Sequence, residues 1–172
     1  MNLWFDTMLQ HRSFRALVCC LALIGEAGNS NLHAAALSTP AMTVVKGGTA
    51  STRIEYRSQG SAVSDLQFDL QYDRSVLYIE VSIGSAPATV GKTLSTNVLS
   101  NGDLRIMISG LNQTVIADGD VVDLNIKMGA LAPTGAQPLG VTNVVGVASD
   151  GTKIDVQARD GRIIAVPNGP PN

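Results

Sequence analysis

The stretch Leu66-Gln67-Phe68-Asp69-Leu70-Gln71-Tyr72-Asp73-Arg74-Ser75-Val76-Leu77 decides how this chain folds. Leu66, Phe68, Leu70 and Tyr72 alternate with Gln67, Asp69 and Gln71, and Asp65 stands one step before them. A period of two puts the apolar set on one face of a strand and leaves the polar set to solvent. Asp73 then closes the strand, where its carboxylate can accept backbone N–H groups from Ser75 or Val76 and fix a turn. That role is structural, because no partner acid or base for catalysis accompanies it.

The same period extends outward in both directions. Leu104, Ile106 and Ile108 alternate with Asp103, Arg105 and Met107, and Val122, Leu124, Ile126 and Met128 alternate with Asp123, Asn125 and Lys127. Further runs at 41–45, 52–57, 77–83, 94–99, 139–148, 153–158 and 162–166 have strand composition, and helical periodicity is absent. Lys46-Gly47-Gly48, Asn101-Gly102, Asp118-Gly119, Asp150-Gly151 and Asp160-Gly161 punctuate them. Such pairs tolerate positive φ and favour hairpin turns, which predicts antiparallel neighbours. About nine short strands bury their apolar faces best as two packed sheets, so the expected fold is an all-β sandwich. The tail 167–172, with three prolines, cannot continue a strand and is expected to be a flexible terminus.

Composition narrows the function. The chain has 172 residues, 45% of them apolar and 15% charged, with a net charge of −2. It can build one packed core, and it lacks the basic field that nucleic-acid binding draws on. A weakly basic head with His11, Arg12 and Arg15 precedes an uncharged run from Ala16 to Ile24. That run is too short to cross a bilayer of about 30 Å and suits a secretory leader, which predicts export and no membrane span. Gly25-Glu26-Ala27 and Ala34-Ala35-Ala36 both offer small-residue cleavage sites. The second is the better match, giving a leader over 1–36, cleavage before Leu37 and a domain over 37–166. Cys19, Cys20, Trp4, His11 and His33 all precede Leu37. The remaining domain has no thiol, imidazole or disulfide, so thiolate and histidine catalysis and Cys or His zinc sites cannot be assembled.

The element from Leu66 to Leu77 resembles the signature of cohesin domains, in which a strand ends in Tyr-Asp and a short turn leads to Val-Leu. The order continues with Ser100-Asn101-Gly102-Asp103-Leu104-Arg105-Ile106, with Asp118-Gly119-Asp120-Val121-Val122-Asp123-Leu124, with Pro133-Thr134-Gly135 and with Asp160-Gly161-Arg162-Ile163-Ile164-Ala165-Val166. The similarity covers 41–166. It implies a nine-stranded jelly-roll sandwich and a secreted, non-catalytic module that binds a protein partner of dockerin type, in the setting of extracellular polysaccharide breakdown. It also places the partner-facing residues on the outward side of the strand before Tyr-Asp and on its neighbours, here Asp65, Gln67, Asp69, Arg105 and Met107. Met107 suits an interface centre, since interfaces combine an apolar middle with a polar rim. Gln67 stands where many dockerin-binding members carry an acid, and the 110–118 loop is short and has no acidic cluster.

Three other readings compete. A carbohydrate-binding module shares the broad fold, and Tyr78, out of phase with Leu77, Ile79 and Val81, is the one tyrosine expected to face outward as a platform. A glycosidase pair of Asp65 and Asp69 is the enzymatic reading, but alternating outward acids are ordinary on a solvated strand. Self-association through a sheet edge is the third. Calcium at Asp118-Gly119-Asp120 or Asp150-Gly151 competes with plain turn chemistry, which explains those residues without a metal. No cofactor, metal or catalytic residue is expected, and the destination is the extracellular space, the periplasm or the cell surface.

Overall fold

The computed structural model describes residues 34–169, so the expected leader lies outside the described residues up to position 33, as do the last three residues. Two sheets form. The first has five strands in the order β11-β1-β3-β8-β5, built from Val156–Arg159, Ala35–Ser38, Thr49–Arg57, Gly119–Met128 and Leu77–Ile83. The second has seven, in the order β2-β12-β9-β4-β7-β6, from Ala41–Val45, Gly161–Val166, Gly135–Ala148, Val63–Gln71, Leu104–Ser109 and Thr93–Val98. Its seventh strand, β10 (Lys153–Ile154), pairs with β9 off that path.

The inward phase read from the sequence holds. Leu66, Phe68 and Leu70 are buried, as are Leu104, Ile106 and Ile108 of β7 and Val122, Leu124, Ile126 and Met128 of β8, all in one cluster. Tyr72 packs half-buried against its edge. Burying such side chains contributes about 1.5–3 kcal/mol each, which is what a domain without disulfides relies on.

Twelve strands occur among the described residues rather than about nine. The 153–158 run breaks at Asp155 into β10 and β11, which pair in different sheets. In addition, Ala35–Ser38 is a strand, with Ala35 and Leu37 buried. This strand starts two residues before Leu37, within the alanines that look like a cleavage site. One helix, α1 (Ser85–Thr89), was not expected; five residues are too few to show a period. No helix among the described residues is long and apolar enough to cross a membrane.

Pairing is antiparallel except at β1 with β11 and at β2 with β12. Two crossings between the sheets explain both exceptions. Thr39-Pro40 carries the chain from one sheet to the other between β1 and β2, and Asp160 does the same between β11 and β12, so the two segments run side by side. A Cβ on Gly161 would lie 2.7 Å from the Pro40 carbonyl oxygen, so only glycine lets the crossings touch. Asp160-Gly161 is therefore a crossing and not the expected hairpin. Lys46-Gly47-Gly48 and the loop ending at Asp118-Gly119 also pass between sheets. Asn101-Gly102 and Asp150-Gly151 do join antiparallel neighbours, with Gly102 at φ 90° and Gly151 at φ 85°.

Candidate functional site

The outer face of the seven-stranded sheet carries the residues singled out for binding. Register places Ser95, Met107, Gln67 and Val145 in one row across β6, β7, β4 and β9. The next row holds Asn97, Arg105, Asp69 and Thr142. Met107 is 42% exposed and Gln67 partly exposed, so both present side chains outward as the alternation required.

Asp69 departs from expectation. It points to the outer face by phase, yet it is 0% exposed. Arg105 covers it with a two-pronged contact, Nε donating to Oδ1 at 2.8 Å and Nη2 to Oδ2 at 2.9 Å, and Asn143 Nδ2 donates to Oδ2 at 2.8 Å. Asn143 reaches it because β9 bulges between Thr142 and Val145 opposite β4, with Asn143 at φ 50°. A bulge re-aims one side chain in this way, and Asn is among the few residues that tolerate the left-handed region. The Arg105 hydrogen bonds, helped by Asn143, hold the Asp69 carboxyl below the usual range against the opposing effect of burial. Asp69 is thus no contact residue. It positions Arg105, whose side chain keeps a third of its surface exposed and whose own pKa is pushed further up by the pair.

Asp65 is similarly occupied. Its carboxylate accepts from the Ser64 hydroxyl at 2.8 Å and from the Gly110 N–H at 3.3 Å, and Lys92 Nζ lies 3.9 Å away. Lys92 is fully buried along its side chain and donates to the Asn112 carbonyl oxygen at 2.8 Å. Asn112 in turn donates to the Val90 carbonyl oxygen at 3.1 Å. These bonds pin the start of the 110–118 loop at the end of β7 and leave Leu111 fully exposed (111%). Sequence reasoning missed Leu111, Lys92 and Asn143; an apolar residue set between Gly110 and the polar Asn112-Gln113-Thr114 was the available signal for the first.

Both carboxylates named for a glycosidase pair are therefore held in structural hydrogen bonds. The turn acids behave likewise. Asp73 Oδ1 accepts the Ser75 N–H at 2.9 Å, as read from the sequence, and this bonding to Ser75 lowers its pKa. Asp118 accepts the Ser58 N–H at 2.7 Å and Asp150 the Thr152 N–H at 2.9 Å, and each is lowered by that bonding. The remaining residue, Tyr78, is 62% exposed and lies on the opposite face of the sandwich, on β5. It does not join the others.

What this face offers is an apolar centre at Met107, a fixed cation at Arg105, amide and hydroxyl groups at Gln67, Asn97 and Ser95, and an apolar tip at Leu111. Such a surface suits a folded polypeptide partner.

The comparisons with known proteins agree with the architecture. No curated protein matches this chain by sequence. Among solved structures, the sixth cohesin of scaffoldin B from Acetivibrio cellulolyticus, determined in complex with a dockerin, aligns with a TM-score of 0.67 at 16% identity, covering 77% of this chain and 99% of that one. A non-cellulosomal cohesin from the archaeon Archaeoglobus fulgidus aligns at 0.65 with 17% identity, covering 77% and 91%. A type I cohesin from Pseudobacteroides cellulosolvens aligns at 0.64 with 20% identity, covering 80% and 95%. At these identities the likeness carries the fold. The sequence profile described as Cohesin domain matches residues 43–165, most of the chain, and with the Tyr72-Asp73 turn and both sheets in place the chain belongs to the cohesin domain family.

Proposed function

We propose that the chain is a secreted, non-catalytic docking module that grips a dockerin-type protein with the outer face of its seven-stranded sheet, in the service of extracellular polysaccharide breakdown. The observation that carries this reading is Met107, exposed between Ser95 and Gln67 and beside an arginine already locked in place. A group that is fixed before binding loses little entropy on association. Gln67 brings an amide where an acid would attract a basic partner, so the favoured dockerin presents a hydrogen-bonding or acidic side chain there, the latter answering Arg105.

Isothermal titration with a type I dockerin tests this. Met107→Asp and Gln67→Glu are each expected to weaken binding about tenfold, the scale of one lost interface contact, with the melting temperature unchanged because both side chains are solvent-facing. Undetectable binding by the unaltered chain, or binding that survives both substitutions, overturns the proposal.

The leader belongs to the same proposal, with processing upstream of Ala35. Cutting before Leu37 would remove Ala35 and Ala36, which pair with Val156 and Gln157, and Ala36 also pairs with Arg57. Cleavage after Ala27 keeps that strand whole. Mass spectrometry of the exported protein is expected to find an N-terminus at Gly28; one at Leu37 would show that β1 works at half length.

A further inference from the structure

The outer face of the five-stranded sheet is hollowed. Register stacks its outward residues in three rows: Thr49, Lys127 and Tyr78; Ser51, Asn125 and Glu80; Arg53, Asp123 and Ser82. A cavity of about 760 Å³ opens over Thr49, Lys127, Tyr78, Asn125 and Glu80, and one of about 690 Å³ shares Asn125 with it and continues over Ser51 and the third row. The short side chains of Thr49 and Ser51 form the low side of this trough. Tyr78, 62% exposed, stands at its other side on the edge strand.

Charge is divided unevenly along the trough. Arg53 is spent on Asp120 at 3.0 Å and Asp123 at 3.4 Å. Lys127 and Arg74, both exposed at the Tyr78 end, have no carboxylate within salt-bridge distance among the described residues. Glu80 faces the Asn125 amide, which donates to it at 3.4 Å. One end therefore combines an exposed aromatic ring with two unneutralised cations, on a molecule whose net charge is −2. A general attraction for polyanions is absent, so any anion held here is held by local groups.

We propose that this trough binds an acidic polysaccharide, with a uronate ring stacked on Tyr78, its carboxylate between Lys127 and Arg74, and its hydroxyls on Asn125, Ser51 and Thr49. A peptide is the poorer occupant, because the large apolar residues in the lining, Leu77 and Met128, are buried and offer an anchoring side chain little surface. The module then holds a protein on one sheet and a glycan on the other, and neither site depends on the other.

Affinity electrophoresis of the full-length chain through gels containing polygalacturonate, a neutral β-glucan or polyglutamate tests the assignment. Retardation by polygalacturonate alone is expected. Tyr78→Ala and Lys127→Gln should each weaken it about tenfold, the scale of one stacking or charge-assisted contact. Both residues are exposed, so an unchanged melting temperature accompanies the loss. No retardation in polygalacturonate, equal retardation by the neutral glucan or by polyglutamate, or retardation that survives both substitutions overturns the proposal.

Discussion

Replacing Gly84 by alanine is expected to cost about 3 kcal/mol of unfolding free energy, the upper range for overpacking by one methyl group. Gly84 has φ −76° and ψ 168°, an extended conformation open to any residue, so backbone strain is not the cause. The cause is contact. A Cβ there would overlap the Asp120 carbonyl oxygen and lie 2.6 Å from the carbonyl carbons of both Asp120 and Val121. These are backbone atoms and cannot rotate aside. They also sit at the bulge of β8, where Ile54 pairs with Val122 and Glu55 with Asp120, which leaves Val121 as the extra residue, fully buried. Because β8 is held by β3 on one side and β5 on the other, it cannot retreat without breaking register. Gly84 is further tied to it by its own N–H, which donates to the Val121 carbonyl oxygen at 3.0 Å. Gly151→Ala provides the contrast. It has φ 85° and open space around it, so it should cost only about 1 kcal/mol through conformation. Urea unfolding of the two variants measures the difference, and equal losses would show that β8 yields where the packing says it cannot.

The alternation at Leu66, Phe68 and Leu70 was enough to orient β4 and put Gln67 outward, and that at Leu104, Ile106 and Ile108 did the same for β7 and Met107. Tyr78 was placed by the same argument. Period two reports which side of a strand a residue leaves from, and that was legible. It does not report what lies over it. Asp69 leaves on the outer side and is nevertheless sealed, because Arg105 comes from a neighbouring strand and Asn143 from a bulge 74 positions away in sequence. The turn pairs failed for a related reason. Asn101-Gly102 and Asp160-Gly161 look alike, but a turn dipeptide specifies a local backbone path and not which sheet the next strand joins. Here it was the meeting of Gly161 with Thr39 and Pro40, contacts between segments more than a hundred positions apart in sequence, that made the second pair a crossing. Ala35 and Ala36 were hidden because small side chains serve equally as a peptidase site and as a tight parallel pairing with Val156 and Gln157.

Asp69→Asn should destabilise the fold by about 3 kcal/mol at neutral pH, the lower end for breaking a buried ion pair, since Arg105 keeps access to water. The amide is nearly isosteric, so the loss reports charge and hydrogen bonding rather than volume. An asparagine can offer one acceptor oxygen to three N–H groups, and its own NH₂ then faces donors from Arg105 or Asn143. The pH dependence separates this from a packing defect. The folded carboxyl is held below its ordinary value of about 3.9, so its stabilisation is complete above that pH, where both folded and unfolded chains are ionised. As pH falls through about 3.9 the unfolded chain takes up a proton that the folded chain refuses, and the contribution declines until the folded carboxyl titrates too. The stability gap between the unaltered chain and Asp69→Asn should therefore stay level from pH 7 to about 5 and narrow below about 4. Asn143→Ala, which removes one of three hydrogen bonds and leaves the ion pair, should cost only about 1 kcal/mol. A gap that persists undiminished to about pH 2.5, well below the ordinary carboxyl value, would mean that the Asp69 charge contributes nothing to it. The docking role proposed above adds a second readout: with its anchor gone Arg105 would have to be ordered at binding, so folded Asp69→Asn should bind a dockerin more weakly although residue 69 itself is buried.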